Sequence, residues 1–115
     1  MADQNIKIIS LNCSGVHNKI PLLREMCETY NLILLQETWI TPENINMLDN
    51  IHPDFCCHSI FAVAIDRRLV GRPHGGLTIL WNNKMGVKCS INMFDDHRML
   101  GITIENNSRK LLLKK

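Results

Sequence analysis

Two polar residues lie just past strand-like segments and carry side-chain oxygen atoms that can bind a metal ion. Asn12 follows the β-branched segment from Ile6 to Leu11, and Glu37 is separated from the apolar run 32–35 by Gln36. Carboxylate and amide oxygens suit Mg²⁺, which usually takes one or two carboxylates together with oxygens of a substrate phosphate. A plainer interpretation is that Asn12 caps a helix and Glu37 faces solvent, and position alone favours it.

Motifs for other kinds of catalysis are missing from the sequence. It contains no GxSxG elbow, no Walker loop and no GxGxxG phosphate-binding loop. Asp96 is suited to orienting His97, but no serine or cysteine is placed as their nucleophile, which favours a solvated turn. The irregular glycine-containing segment 71–76 does not match a phosphate cradle and is expected to be a loop that leads into a strand.

The cysteines and the amino terminus indicate an intracellular protein. The five cysteines form no CxxC pair, and residues 1–4 do not begin a signal peptide. We therefore expect reduced thiols in the cytoplasm or nucleus, and no secretion. Cys56, Cys57 and His58, with His52 nearby, are candidate zinc ligands, but neighbouring strand residues point to opposite faces, which favours buried thiols instead.

The overall composition matches a globular domain and excludes several classes of protein. Hydrophobic residues make up 45% of the 115 residues and charged residues 21%, which is unlike a disordered or fibrous chain. The longest apolar run, Ile60 to Ile65, is far shorter than the ~20 residues that span a bilayer, so no membrane partner is expected. A net charge of +2 is too small to indicate a nucleic-acid partner by itself.

The first part of the chain predicts a βαβ unit. Strands are expected at 6–11 and 32–35, and apolar residues recur with helical spacing over 19–30. Two strands joined in this way run parallel. Because the carboxyl ends of neighbouring parallel strands meet at one edge, Asn12 and Glu37 are expected at the same rim of the sheet.

Helix boundaries can also be predicted. Asn18 is expected to cap the first helix, Pro21 suits its first turn, and Asn31 is expected to end it in the left-handed conformation. Thr41 and Pro42 predict the start of a short second helix that runs to about Asn50. That helix would turn three apolar residues inward: Ile45, Leu48 and Ile51.

Period-two patterns predict that an antiparallel meander follows the βαβ unit. The predicted strands are 58–65, 76–81, 87–93 and 100–105, with hairpin-like turns at 82–86 and 106–108. The pair Gly75 and Gly76 is expected to allow close approach or a positive φ where the second of these strands begins. A further apolar strand begins at 109–113 without residues to cover it, so we expect an α/β domain that is cut short and exposes a sheet edge able to self-associate.

Four segments resemble one enzyme family in their order and spacing: IKIISLNCSG, NLILLQETWI, GRPHGGLTILW and HRMLGITIENNSRKLLL. The chain resembles the endonuclease/exonuclease/phosphatase superfamily. More narrowly, it is similar to the amino-terminal half of the apurinic-type endonuclease domain of non-LTR (LINE-like) retrotransposons. The QETW and GRPHGG segments favour that branch over the cellular repair enzymes.

This resemblance implies a fold, an activity and two site residues. The fold would be a four-layer α/β sandwich, of which residues 1–115 form the amino-terminal part. The activity would be Mg²⁺-dependent hydrolysis of DNA phosphodiester bonds, used for target-site nicking in retrotransposition. By the match to the family's motifs, Asn12 would lie in the active site and Glu37 would bind the metal. The family often has an acidic residue or asparagine where this chain has Ser14, so that position departs from the pattern.

The family's later motifs have no counterpart among the 115 residues. They carry a tyrosine, an Asp/Asn pair and the catalytic histidine, and His97 does not occupy the matching place in their order. We therefore expect the isolated chain to be inactive or nearly inactive, because it would keep a metal ligand without the groups that assist proton transfer. Two alternatives stay open: a non-catalytic remnant or interaction module, and a phosphatase of the same superfamily.

Overall fold

The computed structural model describes residues 6–61, 75–94, 99–105 and 110–114. Their elements in chain order are β1 (Ile8–Asn12), α1 (Ile20–Thr29), β2 (Leu32–Gln36), a 3₁₀ turn (Pro42–Asn44), α2 (Asn46–Asp49), β3 (Phe55–Ile60), β4 (Leu77–Asn82), β5 (Lys88–Met93), β6 (Leu100–Glu105) and β7 (Lys110–Lys114). No helix among the described residues is long and apolar enough to cross a membrane.

The predicted βαβ unit is confirmed. β1 and β2 pair in parallel, with Ile8 opposite Leu32 and Asn12 opposite Gln36. Apolar residues one turn apart give α1 a buried face, formed by Leu23, Met26 and Cys27, that covers one side of these strands.

Two details at the ends of α1 correct the prediction. Pro21 lies in the first turn as expected, but the residue at the cap is Lys19, and no side chain caps the helix, so the expected cap by Asn18 is wrong. At the other end Tyr30 is extended, and Asn31 is not among the residues with a positive φ. Asn31 instead accepts a hydrogen bond from the Lys7 backbone N–H at 2.8 Å, which explains why an asparagine stands there.

The second helical segment is shorter than predicted. The chain forms a 3₁₀ turn at Pro42–Asn44, and a single α-helical turn follows in α2. The Thr41 backbone N–H donates to Asn44 Oδ1 at 2.8 Å and closes the start of this segment. The inward direction was predicted correctly, since Leu48 and Ile51 are buried and Ile45 packs partly against the same core.

The strands form two sheets. β3 and β4 join the first two strands in a sheet of order β1-β2-β4-β3, where β4 is antiparallel to both of its neighbours. β5, β6 and β7 form a separate antiparallel sheet. β3 begins at Phe55, earlier than predicted, and the predicted strand positions 62–65 lie outside the described residues.

The expected hairpin at 82–86 is wrong. β4 already has β2 on one side and β3 on the other, so it has no open edge for β5. The segment instead carries the chain from one sheet to the other, and Met85 is buried between them. The Lys84 N–H donates to Asn82 Oδ1 at 2.7 Å and tightens this crossing. The second predicted turn, 106–108, lies outside the described residues.

Two hydrophobic cores lie on the two faces of the first sheet. All of Leu32–Leu35 are buried, and these residues alternate between the cores. Ile33 and Leu35 face the helices, whereas Leu32 and Leu34 face the second sheet. The described residues thus stack a helical layer on two sheets, which confirms the α/β class and agrees with part of a four-layer sandwich.

Candidate functional site

Backbone hydrogen bonds continue past the ends of β1 and β2 and fasten the two following loops together. The backbone N–H groups of Cys13, Gly15 and Val16 donate to the carbonyls of residues 36, 37 and 38, at 2.8, 2.8 and 3.1 Å. Asn12 and Glu37 therefore lie at the same rim of the sheet, as their positions after parallel strands predicted.

Asn12 is exposed and organises a turn. Its Oδ1 accepts hydrogen bonds from the backbone N–H of Ser14 at 3.2 Å and from Ser14 Oγ at 3.4 Å. This Asx-type turn accompanies a left-handed backbone at Ser14, where φ is 46°. Since α1 begins only at Ile20, the expectation that Asn12 caps a helix is wrong, and the residue fixes the first loop of the rim.

Glu37 is half-buried and anchored, contrary to the solvent-facing alternative. Its Oε2 accepts a hydrogen bond from the indole Nε1–H of Trp39 at 2.9 Å and another from the backbone N–H of Gly75 at 3.3 Å. Both of these bonds fall on one oxygen of the carboxylate. An ionised acceptor strengthens such bonds, so the side chain is held in one orientation.

Trp39 and Gly15 are structural partners that reasoning from single motifs did not identify. Gly15 has a φ of +90°, and a Cβ at this position would lie 2.5 Å from Trp39 Cε3. The indole ring therefore packs directly on the glycine backbone. The signal was present in the sequence as a glycine three residues after Asn12 and a tryptophan two residues after Glu37, but nothing local indicates that they touch.

The backbone of this rim is unusual. Among the described residues, the non-glycine residues with a positive φ are Ser14 (46°), Glu37 (54°) and Trp39 (59°), and all three lie here. Each such conformation costs on the order of 1–3 kcal/mol and concentrates at sites where function requires it.

The entry to β4 completes the rim. The backbone N–H of Thr38 donates to the Gly76 carbonyl at 3.3 Å, and that of Trp39 donates to the Gly75 carbonyl at 3.0 Å. Both glycines have a positive φ, 80° at Gly75 and 95° at Gly76, as predicted for this pair. The preceding residues 71–74 and the pair Asp96-His97 lie outside the described residues.

The donor set at the rim fits part of a Mg²⁺ shell. It offers the Glu37 carboxylate, whereas the Asn12 amide oxygen already accepts two hydrogen bonds from Ser14. No group of three His, Cys, Asp or Glu side chains gathers anywhere among the described residues. One carboxylate is enough for Mg²⁺ when water and substrate phosphate supply the other oxygens. The residues are compatible with a magnesium site that is completed by further ligands, and the assignment of Mg²⁺ stays a prediction.

The neighbouring thiols on β3 contact different partners. Cys57 Sγ donates to Asp49 Oδ1 at 2.9 Å, whereas Cys56 Sγ accepts from Asn83 Nδ2 at 3.5 Å. Burial, together with the Asp49 carboxylate, raises the pKa of Cys57 to about 12. The Cys57 thiol therefore stays protonated at neutral pH, and it shares no hydrogen-bond partner with the Cys56 thiol among the described residues.

Comparison with known proteins gives a likeness in structure. No family model matches the chain, and no curated protein matches its sequence. The crystal structure of the AP endonuclease LMAP from Leishmania major has a similar fold, with a TM-score of 0.69 and 12% sequence identity. The likeness covers 95% of this chain but 39% of that enzyme, so the chain spans about two fifths of its length. The described residues thus have the α/β fold of part of an AP endonuclease.

Proposed function

We propose that this chain supplies the amino-terminal half of a Mg²⁺-dependent endonuclease that hydrolyses DNA phosphodiester bonds. The observation that carries the proposal is the anchored Glu37 carboxylate at the same sheet rim as Asn12. The likeness in fold to a protein named as an AP endonuclease supports a DNA substrate. The QETW and GRPHGG segments favour an origin in a non-LTR retrotransposon, where the enzyme would nick the target site.

The two rim residues would divide the work. Glu37 would hold Mg²⁺, and the bound ion would supply positive charge to the reacting phosphate. Asn12 is exposed at the same rim, and its amide is suited to orienting a phosphate oxygen. A residue that matches the family's catalytic histidine is not found in the sequence, so the remaining half of the domain would provide the proton-transfer groups. We therefore propose that residues 1–115 alone bind metal without cleaving DNA.

A second proposal is an interaction role through the edge of the second sheet. β7 pairs with β6 on one side and stands at the end of the β5-β6-β7 order among the described strands. An edge strand offers backbone groups that can pair with another chain, including a second copy. Light scattering tests pairing with a second copy, because a monomer at all concentrations tested would contradict self-association.

Nicking of supercoiled plasmid tests the enzymatic proposal. A longer chain that continues through the downstream coding sequence should convert the plasmid to the open circle only when Mg²⁺ is present. Glu37→Gln should lower that rate at least 100-fold, on the order expected for loss of a metal-held charge. Glu25→Gln, the same charge change on the exposed face of α1, should leave the rate unchanged. Wild-type nicking by Glu37→Gln would contradict the site assignment.

A further inference from the structure

We propose that Trp39 is a positioning residue whose indole N–H fixes the orientation of the Glu37 carboxylate for the cation. The inference rests on the proposed metal-binding role of Glu37 and deepens it. Its basis is the 2.9 Å hydrogen bond from Trp39 Nε1 to Glu37 Oε2, made between two residues that both have a left-handed backbone. Two left-handed residues in so short a segment cost conformational free energy that other interactions must offset. The hydrogen bond between their side chains is one such interaction.

Trp39 is held from two sides. Its indole ring packs on Gly15, where a Cβ would lie 2.5 Å from Trp39 Cε3. Its backbone N–H donates to the Gly75 carbonyl at 3.0 Å. The loops that hold Trp39 also hold the glutamate, since the Gly15 N–H donates to the Glu37 carbonyl at 2.8 Å and the Gly75 N–H donates to Oε2 at 3.3 Å. The tryptophan is therefore fixed in the same frame as the carboxylate that it contacts.

The chemistry of the pair gives the indole a specific role. The indole N–H is a donor without acceptor capacity, and a carboxylate accepts on both oxygens. Two hydrogen bonds on Oε2 restrict rotation of the carboxylate. Within the part of the chain that the structure describes, no hydrogen bond reaches the other oxygen, so we assign that oxygen to the cation. Partners that orient a metal ligand in this way typically contribute 10–100-fold in metal affinity.

The two tryptophans of the chain provide a probe and its control. Trp81 stands opposite Leu32 in the β2–β4 pairing, whereas Gln36, next to Glu37, stands opposite Leu77 at the other end of the same strands. A nitrogen–proton correlation spectrum shows one indole N–H resonance for each tryptophan, and Trp81→Phe assigns them. Addition of Mg²⁺ should shift the Trp39 resonance and leave the Trp81 resonance in place.

Trp39→Phe separates positioning from packing. A phenyl ring can still pack on Gly15, but it cannot donate a hydrogen bond to Glu37. We expect Trp39→Phe to lower the Mg²⁺ affinity of the chain about 10-fold. Trp81→Phe should bind as the wild type does. Glu37→Gln should abolish binding and, without metal, should also shift the Trp39 indole resonance.

The outcomes distinguish this inference from the proposed function. If Glu37→Gln abolishes binding while Trp39→Phe retains wild-type affinity, the positioning role is wrong and the metal role of Glu37 stands. If the wild type does not bind Mg²⁺, the proposed function is overturned together with the inference. If circular dichroism shows that Trp39→Phe does not fold, the positioning role is tested instead by the nitrogen–proton correlation spectrum of the wild type with added Mg²⁺. Glu37-dependent Mg²⁺ binding that leaves the Trp39 resonance unmoved would then overturn the positioning role.

Discussion

The two ends of the first sheet are both closed by hydrogen bonds, but in different ways. At the amino-terminal end of β2, Asn31 accepts from the Lys7 backbone N–H at 2.8 Å through its side chain and from the Asn82 N–H at 2.9 Å through its carbonyl. Asn31 is not among the residues with a positive φ. At the carboxyl end, three non-glycine residues of the rim adopt the left-handed backbone: Ser14, Glu37 and Trp39.

This difference indicates what each end does. The Asn31 side chain satisfies the backbone at the first end at little conformational cost, which is sufficient for a structural role. The second end carries strain of about 1–3 kcal/mol at each left-handed residue, and it is the end that holds the half-buried Glu37. We therefore expect the strained rim, rather than the opposite end of the sheet, to carry the proposed function.

Gly15→Ala should destabilise the folded chain more than the other substitutions described below. A Cβ at Gly15 would lie 2.5 Å from Trp39 Cε3 in a backbone with a φ of +90°, so both overpacking and backbone strain oppose it. We expect a loss of roughly 2–4 kcal/mol in the free energy of unfolding, measured by urea denaturation.

Gly75→Ala is the matched control for that loss. Its φ is +80°, but a Cβ there would meet no atom of the described residues within 4 Å. Gly75→Ala should therefore lower the unfolding free energy only by the cost of a left-handed backbone, about 1–2 kcal/mol. Equal losses for the two variants would show that the packing of Trp39 on Gly15 does not stabilise the rim.

An intermediate effect is expected from alkaline pH through Cys13, which is fully buried beside Asn12. Burial raises the pKa of the Cys13 thiol from 9.0 to about 11 in the folded chain, partly offset by Lys19. The unfolded chain therefore loses this proton first as the pH rises above 9, and the native state loses stability between pH 9 and 11.

The contribution of Cys13 is isolated by comparing the wild type with Cys13→Ala. Between pH 8 and pH 10.5 the unfolding free energy of the wild type should fall further than that of the variant, by on the order of 1–2 kcal/mol. Parallel pH dependence of the two proteins would show that the thiol at position 13 is not shielded from water in the folded state.

The smallest effect is expected at the amino-terminal end, for Asn31→Ala. Loss of the acceptor for the Lys7 N–H should lower the unfolding free energy by about 1 kcal/mol and leave Mg²⁺ affinity unchanged. Asn18→Ala provides the control, because no side chain caps α1. If Asn18 did cap the helix, its replacement by alanine would also lower the unfolding free energy by about 1 kcal/mol. A lower unfolding free energy for Asn18→Ala would therefore contradict the structure.

Much of the first sheet could be predicted because its signals are local. The apolar run 32–35 and the helical spacing before it predicted two parallel strands and a connecting helix. Their parallel direction was enough to place Asn12 and Glu37 at one rim. The α/β class follows from the same local patterns.

The features that could not be predicted depend on contacts between distant residues. The turn at 82–86 has the composition of a hairpin, yet it connects two sheets because β2 and β3 already occupy both edges of β4. Asn31 was predicted to end a helix, but its side chain bonds to Lys7, which is 24 residues away. The packing of Trp39 on Gly15 likewise joins two loops that are separate in the sequence.

Isothermal titration of the chain with Mg²⁺ shows whether the strained rim holds the ion. We expect the wild type to bind Mg²⁺, Glu37→Gln to lose the binding, and Glu25→Gln on the exposed face of α1 to retain it. If Glu37→Gln binds Mg²⁺ as tightly as the wild type does, the strained rim does not hold the metal and the proposed role of Glu37 is wrong.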